Sequence, residues 1–109
     1  MSMTKSPHVF LINEGLHDYS AAAKFGERVI SLTQGICSRV NATGHMREIA
    51  AGLACSHPDD WLVISGPPLV NILACAEFAV KHGKLNLLIY ASREQEYVQR
   101  TIVFEKELQ

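Results

Sequence analysis

The 109-residue chain has the composition of an ordinary globular protein, with 48% hydrophobic and 19% charged residues. This length predicts one domain over residues 1–109 with a single modest hydrophobic core. Ten basic and eleven acidic residues give a net charge of −1, which disfavours binding to polymeric nucleic acid because such proteins usually carry a basic excess.

Short apolar runs and helical patterns alternate along the first half of the chain. Residues 8–13 predict a strand, because a continuous apolar run is closed there by Asn-Glu-Gly. The alanine-rich residues 19–25 predict a short helix that Asp18 can cap and Gly26 can end. The next predicted elements are a strand at 28–33, an irregular segment at 36–44 and a helix at 45–56.

The second half of the chain predicts a buried strand-helix-strand unit followed by a hairpin. Residues 61–65 are apolar on both faces, which is typical of a central strand in a covered sheet. Gly66-Pro67-Pro68 turns the chain into a helix at 69–82, which is apolar on most of its circumference and is therefore expected to be buried. The remaining elements are a strand at 85–90, a hairpin connection at 92–95 and a last strand at 97–104.

This order of elements predicts an α/β fold. We expect a mixed β-sheet of about five strands packed with about three helices. The strand at 61–65, the helix that follows it and the strand at 85–90 should form a right-handed crossover between parallel strands.

The sequence predicts neither a membrane protein nor a disulfide framework. The longest nearly apolar stretch, 69–80, is too short to span a bilayer. Cys37, Cys55 and Cys75 are odd in number and form no Cys-x-x-Cys motif, which favours a reducing compartment. The N-terminal residues show no apolar core of the signal-peptide kind. We therefore expect a soluble, cytoplasmic protein.

The turn after the strand at 61–65 is the most site-like feature of the sequence. Ligands of α/β sheets tend to bind beyond the carboxyl ends of strands, where helix N-termini offer free N–H groups. Ser65 and Gly66 stand at this place, but Pro67 and Pro68 remove two such donors, and the glycine spacing matches no phosphate-binding motif. The turn is therefore either part of a binding site or a tight structural turn.

Three other side chains have both a binding and a structural interpretation. Arg100 falls in the row of the last strand that is predicted to face the core, so it meets an anion or pairs with Glu14 or Asp18, unless the two faces are reversed. Asn71, in an apolar helix, either matches an adenine edge or bonds neighbouring backbone groups. Trp61 either stacks on a base or packs at the end of a strand.

Catalytic and metal sites are poorly supported by the sequence. The five histidines are scattered without metal-ligand spacing, so we predict no metal and no cofactor. Cys55 beside His57, or the adjacent Asp59 and Asp60, could serve a small nucleotide hydrolase or transferase. Ser65 lacks the Gly-x-Ser-x-Gly context of a nucleophile elbow. We therefore predict a protein that is not an enzyme.

Several segments, in order along the chain, resemble the phage anti-Thoeris sponge proteins of the first type. The matching features are His17-Asp18-Tyr19-Ser20, the strand and turn at 30–35, Asp59-Asp60-Trp61, Ser65-Gly66 followed by Asn71, Leu85-Asn86-Leu87-Leu88-Ile89, and Tyr97-Val98-x-Arg100-Thr101. The resemblance implies a bacteriophage anti-defence protein that sequesters a cyclic nucleotide immune signal without cleaving it. The implied signal is a cyclic ADP-ribose isomer made by TIR-domain enzymes.

The resemblance also implies site residues and an assembly. In such proteins an aromatic residue and an asparagine read adenine, and arginines hold the diphosphate, in pockets between subunits. Trp61 and Asn71 would take the first two roles. The predicted ligand-binding set is Arg39, Trp61, Ser65, Gly66, Asn71, Arg93 and Arg100. The implied assembly is a homo-oligomer, either a dimer or a hexamer, whose ligand is a cyclic ADP-ribose isomer or a cyclic oligonucleotide.

Three classes of function remain open at this point. A nucleotide-sequestering protein predicts oligomerisation and the release of intact ligand after denaturation. A small hydrolase or transferase predicts turnover that is lost when Cys55, His57 or the Asp59-Asp60 pair is replaced. A module that binds another protein through the edge strand 97–104 predicts no small-molecule binding.

Overall fold

A computed structural model of the chain describes residues 7–35 and 40–104. These residues form five strands, two α-helices and one 3-10 helix. The strands are β1 (Val9–Glu14), β2 (Val29–Gln34), β3 (Trp61–Val63), β4 (Lys84–Ala91) and β5 (Glu96–Val103), and the helices are the 3-10 helix (Ser20–Phe25), α1 (Ala42–Gly52) and α2 (Pro68–His82). The predicted α/β fold, with five strands and three helices, is confirmed.

The five strands form one mixed sheet in the order β2-β1-β3-β4-β5. The first four strands are parallel, with Val9 opposite Val29 on one side and Trp61 on the other. β4 and β5 form an antiparallel hairpin in which Tyr90 lies opposite Tyr97. The strand that was predicted to be central, β3, is the middle strand of the sheet.

Alternating side chains of the strands build two cores on opposite faces of the sheet. On one face Ile12 and Leu62 pack with Phe78 of α2 and Leu53 after α1. The other face is covered more thinly, by residues of the 3-10 helix such as Ala22, and the core there consists of Val9, Leu11, Ala22, Val63, Leu88 and Tyr97. The apolar character of β3 on both faces follows from this, because its neighbouring residues point into different cores.

The ends of the two α-helices are set by capping residues. α1 begins three residues earlier than predicted, because the side chain of Asn41 caps it by accepting a 3.2 Å hydrogen bond from Gly44 N. The predicted irregular segment 36–44 therefore contains the start of a helix, and its residues 36–39 lie outside the described residues. α2 begins at Pro68 and ends at His82, where it is capped by Gly83, whose φ of 75° is the left-handed conformation that glycine adopts easily.

The expectation that α2 is buried on most of its surface is wrong. Val70, Ala74 and Phe78 are fully buried, whereas Ile72 is 64% and Val80 87% exposed. The reason is that α2 packs against the sheet and α1 on one side only. None of the described helices is long and apolar enough to cross a membrane.

The amino edge of the sheet is fastened by a buried polar cluster. Asp60 is 2% exposed, and its carboxylate accepts hydrogen bonds from the backbone N–H groups of His8 at 2.9 Å and His57 at 2.7 Å. Asn86, 5% exposed, donates to the carbonyl of Asp60 at 2.9 Å and accepts from the Thr101 hydroxyl at 3.1 Å. These bonds join the starts of β1, β3 and β4 to β5.

Candidate functional site

The carboxyl edge of the sheet, where the four parallel strands end, contains the point at which the connections between strands change direction. β1 and β3 are neighbours, but β1 continues through the 3-10 helix to β2, whereas β3 continues through α2 to β4 on the other side. The connections lie on opposite faces, so the segments after β1 and β3 separate. In doubly wound sheets a crevice forms at such a point, and ligands bind there.

Ser65 and Gly66 stand directly at this point. The Ser65 hydroxyl accepts a 3.0 Å hydrogen bond from Asn13 N at the end of β1. Gly66 has a φ of 82°, and a Cβ atom built on it would lie 2.4 Å from the Cβ of Asn13. Only glycine fits this approach, because any larger residue would be strained and would clash with Asn13.

Asn71 holds the same turn together from the first turn of α2. Its side-chain oxygen accepts from Ser65 N at 3.0 Å. Its amide nitrogen donates to the carbonyls of Ser65 and Pro67, each at 2.7 Å. The amide is thus engaged with backbone groups of the turn, as in the structural interpretation, and the predicted contact with an adenine edge stays a prediction.

A pocket of about 240 Å³ opens beside this turn. Its lining consists of His17, Tyr19, Ile64, Ser65, Gly66, Tyr90 and Tyr97. The four rings are in contact, with centroids 5.1 Å apart for His17 and Tyr19, 4.8 Å for His17 and Tyr90, and 5.1 Å for Tyr90 and Tyr97. The planes of these pairs are inclined by 74°, 73° and 62°. The rings therefore form an inclined wall along one side of an open pocket rather than a parallel stack.

Two tyrosine hydroxyls of this pocket differ in their hydrogen bonding. The Tyr19 hydroxyl donates to the carbonyl of Asn13 and accepts from Gly15 N, both at 3.1 Å. Tyr97 is only 6% exposed, and within the part of the chain that the structure describes its buried hydroxyl has no hydrogen-bond partner. Burial, with smaller contributions from Tyr19, Tyr90 and Asp18, raises the pKa of Tyr97 to about 12.

Among the described residues, the charged side chains at the carboxyl edge of the sheet are mainly acidic. The lining of the pocket contains no lysine or arginine within this part of the chain. The segments at this edge, 14–18, 34–35, 64–67 and 91–96, carry four carboxylates and one guanidinium; these are Glu14, Asp18, Glu94, Glu96 and Arg93. The backbone N–H of Ser20 donates to Asp18 at 2.9 Å, and this bond lowers the pKa of the Asp18 carboxyl.

Comparison with known proteins gives one family. The model of the phage Pam3 gp32-like protein family matches residues 7–104, which include every described strand and helix. The chain belongs to this family. No curated protein and no solved structure matches the chain. The phage origin expected from the sequence is therefore supported.

Of the other described residues predicted for the site, Trp61 and Arg100 lie away from the pocket. Trp61 lies at the opposite end of β3 from Ser65, with its ring 6.0 Å from that of Phe25. Arg93 is in the turn between β4 and β5, at the carboxyl edge. Arg100 is exposed, and its guanidinium donates to its neighbour's carbonyl at 2.7 Å instead of entering a core. Arg39 lies outside the described residues.

The residues considered for catalysis have structural contacts. The adjacent carboxylates diverge, since Asp60 is buried in the amino-edge cluster and Asp59 is exposed, 3.5 Å from the Lys84 ammonium. Cys55 is exposed, and burial raises the pKa of the Cys75 thiol. Among residues 7–35 and 40–104, no cluster of three or more metal-ligating side chains is found.

Sequence reasoning missed the four aromatic residues of the pocket. His17 and Tyr19 were noted only as part of a resemblance, and Tyr90 and Tyr97 only as ends of strands. The available signal was the spacing of Tyr90 and Tyr97 on either side of a predicted hairpin connection, which places both rings on one face at the carboxyl edge. Applied with the rule that ligands bind at this edge, it would have pointed to the pocket.

Proposed function

We propose that this phage protein binds one ring of a small nucleotide-derived ligand in the aromatic pocket and holds the ligand without cleaving it. The observation that carries the proposal is the buried hydroxyl of Tyr97, which has no partner among the described residues and belongs to a side chain that lines a pocket at the switch point of the sheet. An unsatisfied buried hydroxyl costs about 1–3 kcal/mol. A ligand would supply the missing partner by entering the pocket and moving the surrounding rings apart, because the hydroxyl itself has no accessible surface in the structure.

The size of the pocket supports a ring rather than a whole nucleotide as the enclosed part. Sites that enclose drug-sized molecules occupy roughly 300–1,000 Å³, and this pocket has about 240 Å³. One nucleobase fits such a space, and its flat surface can pack against aromatic walls. Ribose and phosphate groups would remain outside, where Arg93 is the basic residue at the described carboxyl edge.

The chemistry of the lining supports binding rather than turnover. The Ser65 hydroxyl accepts from Asn13 N and donates weakly, at 3.4 Å, to the carbonyl of Val63. An activated serine requires a general base within hydrogen-bond reach, and these are its two hydrogen bonds among the described residues. The imidazole of His17 also lines the pocket, but it packs against the rings of Tyr19 and Tyr90 and is not among the hydrogen-bond partners of Ser65 within the described residues.

Phage membership and the resemblance to anti-Thoeris sponges favour a host immune signal as the ligand. On this proposal the protein sequesters a cyclic ADP-ribose isomer made by TIR-domain enzymes and so protects the phage. Sequestration requires tight binding, because a sub-micromolar dissociation constant corresponds to more than about 8 kcal/mol. Enclosure of the exposed part of the ligand by a second subunit would provide the additional contacts.

A thermal-shift screen of the purified protein with cyclic ADP-ribose isomers and cyclic di- and trinucleotides tests the proposal. A ligand at about one hundred times its dissociation constant adds roughly 2.7 kcal/mol to the free energy of unfolding. We expect a shift with one of these compounds, and chromatography after heat denaturation should recover it intact. Recovery of a cleaved product, or no shift with any nucleotide, would contradict the proposal.

A separate observation favours self-association through β5. The backbone N–H of Phe104 donates to the carbonyl of Gly83. Because hydrogen-bonded residues alternate along an antiparallel ladder, the even-numbered residues of β5 bond β4. The backbone groups of the odd-numbered residues therefore face the free edge of the sheet. Two β5 strands paired antiparallel about Val98 would place Glu96 opposite Arg100 of the partner subunit. The predicted homo-oligomer is therefore proposed to be a dimer through this edge.

Replacing Gln99 tests this dimer. Gln99→Pro removes an N–H group that faces the free edge while leaving the β4 ladder intact, because edge strands tolerate proline at such positions. We expect Gln99→Pro to be monomeric in light scattering and Gln99→Ala to remain dimeric, with similar melting temperatures. A monomeric parent protein, or a dimeric Gln99→Pro variant, would rule out pairing through β5.

A further inference from the structure

We infer that the aromatic pocket selects a positively charged group, either a heterocycle alkylated at a ring nitrogen or a quaternary ammonium. This inference deepens the proposed function, because it concerns the same pocket and the part of the ligand that enters it. It rests on the arrangement of the rings, on the sign of the surrounding charge and on the unpartnered hydroxyl of Tyr97.

The geometry of the rings is that of an aromatic cage. Successive ring planes are inclined by 74°, 73° and 62°, so that no two neighbouring walls are parallel. A slot for a neutral base would present two parallel faces, whereas inclined rings around one volume can direct more than one electron-rich face towards it; ring edges carry the opposite partial charge and do not attract a cation. Arrangements of this kind are used by proteins to bind quaternary ammonium groups through cation–π interactions.

The charge at the pocket has the sign that a cation requires. The lining contains no lysine or arginine among the described residues, and Asp18 adjoins two of its rings in the sequence. Hydrogen bonds from Ser20 lower the pKa of Asp18 and keep this carboxylate ionised. The Asp18 charge also contributes to the raised pKa of Tyr97, which places both groups in one electrostatic environment.

The Tyr97 hydroxyl is a polar group buried in the wall of the cage, and a ligand contacts it only once the surrounding rings move apart. It is buried and has no partner within the described residues, and its raised pKa keeps it protonated at neutral pH. A protonated phenol can both donate and accept a hydrogen bond. A heterocycle that carries a positive charge and an exocyclic or ring nitrogen can use this contact, whereas a tetraalkylammonium group uses the ring faces alone.

Two matched pairs of small molecules test the inference by calorimetric titration of the full chain. 1-Methyladenosine carries a positive charge at neutral pH and adenosine does not, although their shapes are nearly the same. Choline and its neutral isostere 3,3-dimethylbutan-1-ol form the second pair. We expect the cation to bind about tenfold more tightly in at least one pair, which corresponds to about 1.4 kcal/mol.

Variants of the pocket residues, compared with a control variant far from the pocket, show which residues produce the preference for a cation. Asp18→Asn keeps the hydrogen-bond acceptor for Ser20 but removes the charge, and it should reduce the preference about threefold. Tyr90→Leu should abolish the preference for the cation, and circular dichroism should show that this variant is folded. Tyr97→Phe is a second pocket variant, which removes the hydroxyl but keeps the ring. Arg47→Gln, on the exposed surface of α1 and on the other face of the sheet from the pocket, should leave the preference unchanged.

The outcomes separate this inference from the proposed function. If adenosine and a cyclic ADP-ribose isomer bind but neither cation is preferred over its neutral partner, nucleotide sequestration stands and the inference is wrong. If choline is preferred over its isostere but no nucleotide binds, the inference stands and the proposed function is wrong. If none of these compounds binds, both are wrong.

Discussion

At the amino edge of the sheet the buried polar side chains bond one another or the backbone, whereas at the carboxyl edge a buried hydroxyl has no partner among residues 7–35 and 40–104. Asp60 and Asn86 join three strand starts to β5. Tyr97 is as deeply buried as Asn86, but its hydroxyl bonds no described residue. Burial of a polar group alone therefore does not mark a site: a satisfied group holds the fold together, and only an unsatisfied one calls for a further explanation.

The largest effect is expected from breaking the amino edge. Asp60→Ala leaves the buried N–H groups of His8 and His57 without acceptors, and we expect it to lower the free energy of unfolding by about 3 kcal/mol. Asp59→Ala is the matched control, because the neighbouring exposed carboxylate makes only long ion pairs and should cost less than about 1 kcal/mol. Urea unfolding measures both, and equal losses would remove the distinction between the two carboxylates.

The second effect concerns the close approach of β1 and β3 at the carboxyl edge. Gly66→Ala combines a left-handed φ with a clash against Asn13, and we expect it to cost about 2 kcal/mol or more. Gly35→Ala has a similar φ of 69° but nothing within 4 Å of the new Cβ, so it should cost only the conformational part, about 1 kcal/mol. Urea unfolding gives the difference, which isolates the clash; no difference would show that Asn13 moves away freely.

The fold was predicted well because its signals are local. The strands were predicted within about two residues at either end; for β1 and β3, burial on both faces leaves little choice of residue type. Asn41 was missed as the cap of α1 because turn residues around it suggested an irregular segment. The exposure of Ile72 and Val80 was missed because an apolar helix surface in a sequence does not reveal how many neighbours cover it.

The site was predicted only in part, because local signals reveal a turn but do not reveal which distant side chains lie together. Ser65 and Gly66 were found because a turn after a central strand carries a local signal and a positional rule. The pocket walls come from the segment after β1 and from both strands of the hairpin, so only the three-dimensional pairing brings the rings together. Trp61 drew attention as the single tryptophan, but its strand position places it at the other edge.

A smaller effect, of opposite signs for stability and binding, is expected at the unpartnered hydroxyl. Tyr97→Phe removes a buried unsatisfied group, so the free energy of unfolding should stay equal or rise by up to about 1 kcal/mol while ligand affinity falls. Tyr19→Phe is the control, because the Tyr19 hydroxyl has two backbone partners and its loss should cost about 1 kcal/mol. Urea unfolding and calorimetry measure the two quantities. Destabilisation by Tyr97→Phe would show that the hydroxyl is bonded after all.

The same substitution has a pH dependence with a defined sign. The pKa of Tyr97 rises from 10.0 to about 12 on folding, so between these values the folded protein holds a proton that the unfolded chain has lost. The free energy of unfolding therefore falls as the pH rises through this range. The fall should be smaller in Tyr97→Phe than in the parent protein. Identical pH profiles would mean that Tyr97 ionises freely in the fold.

The smallest effect is expected for the two arginines predicted to hold phosphate. Arg93 lies in the turn beyond the carboxyl ends of the strands, whereas Arg100 lies opposite Leu87 in the middle of the hairpin and bonds the carbonyl of Gln99. If ligand phosphates remain outside the pocket, Arg93→Ala should weaken binding of a cyclic ADP-ribose isomer by about threefold to tenfold, more at low salt than at high salt. Arg100→Ala should leave the affinity unchanged. The reverse result would mean that the phosphates lie near β5 and not at the carboxyl edge. Because a second subunit is proposed to pair along β5, the ligand would then be part of that interface.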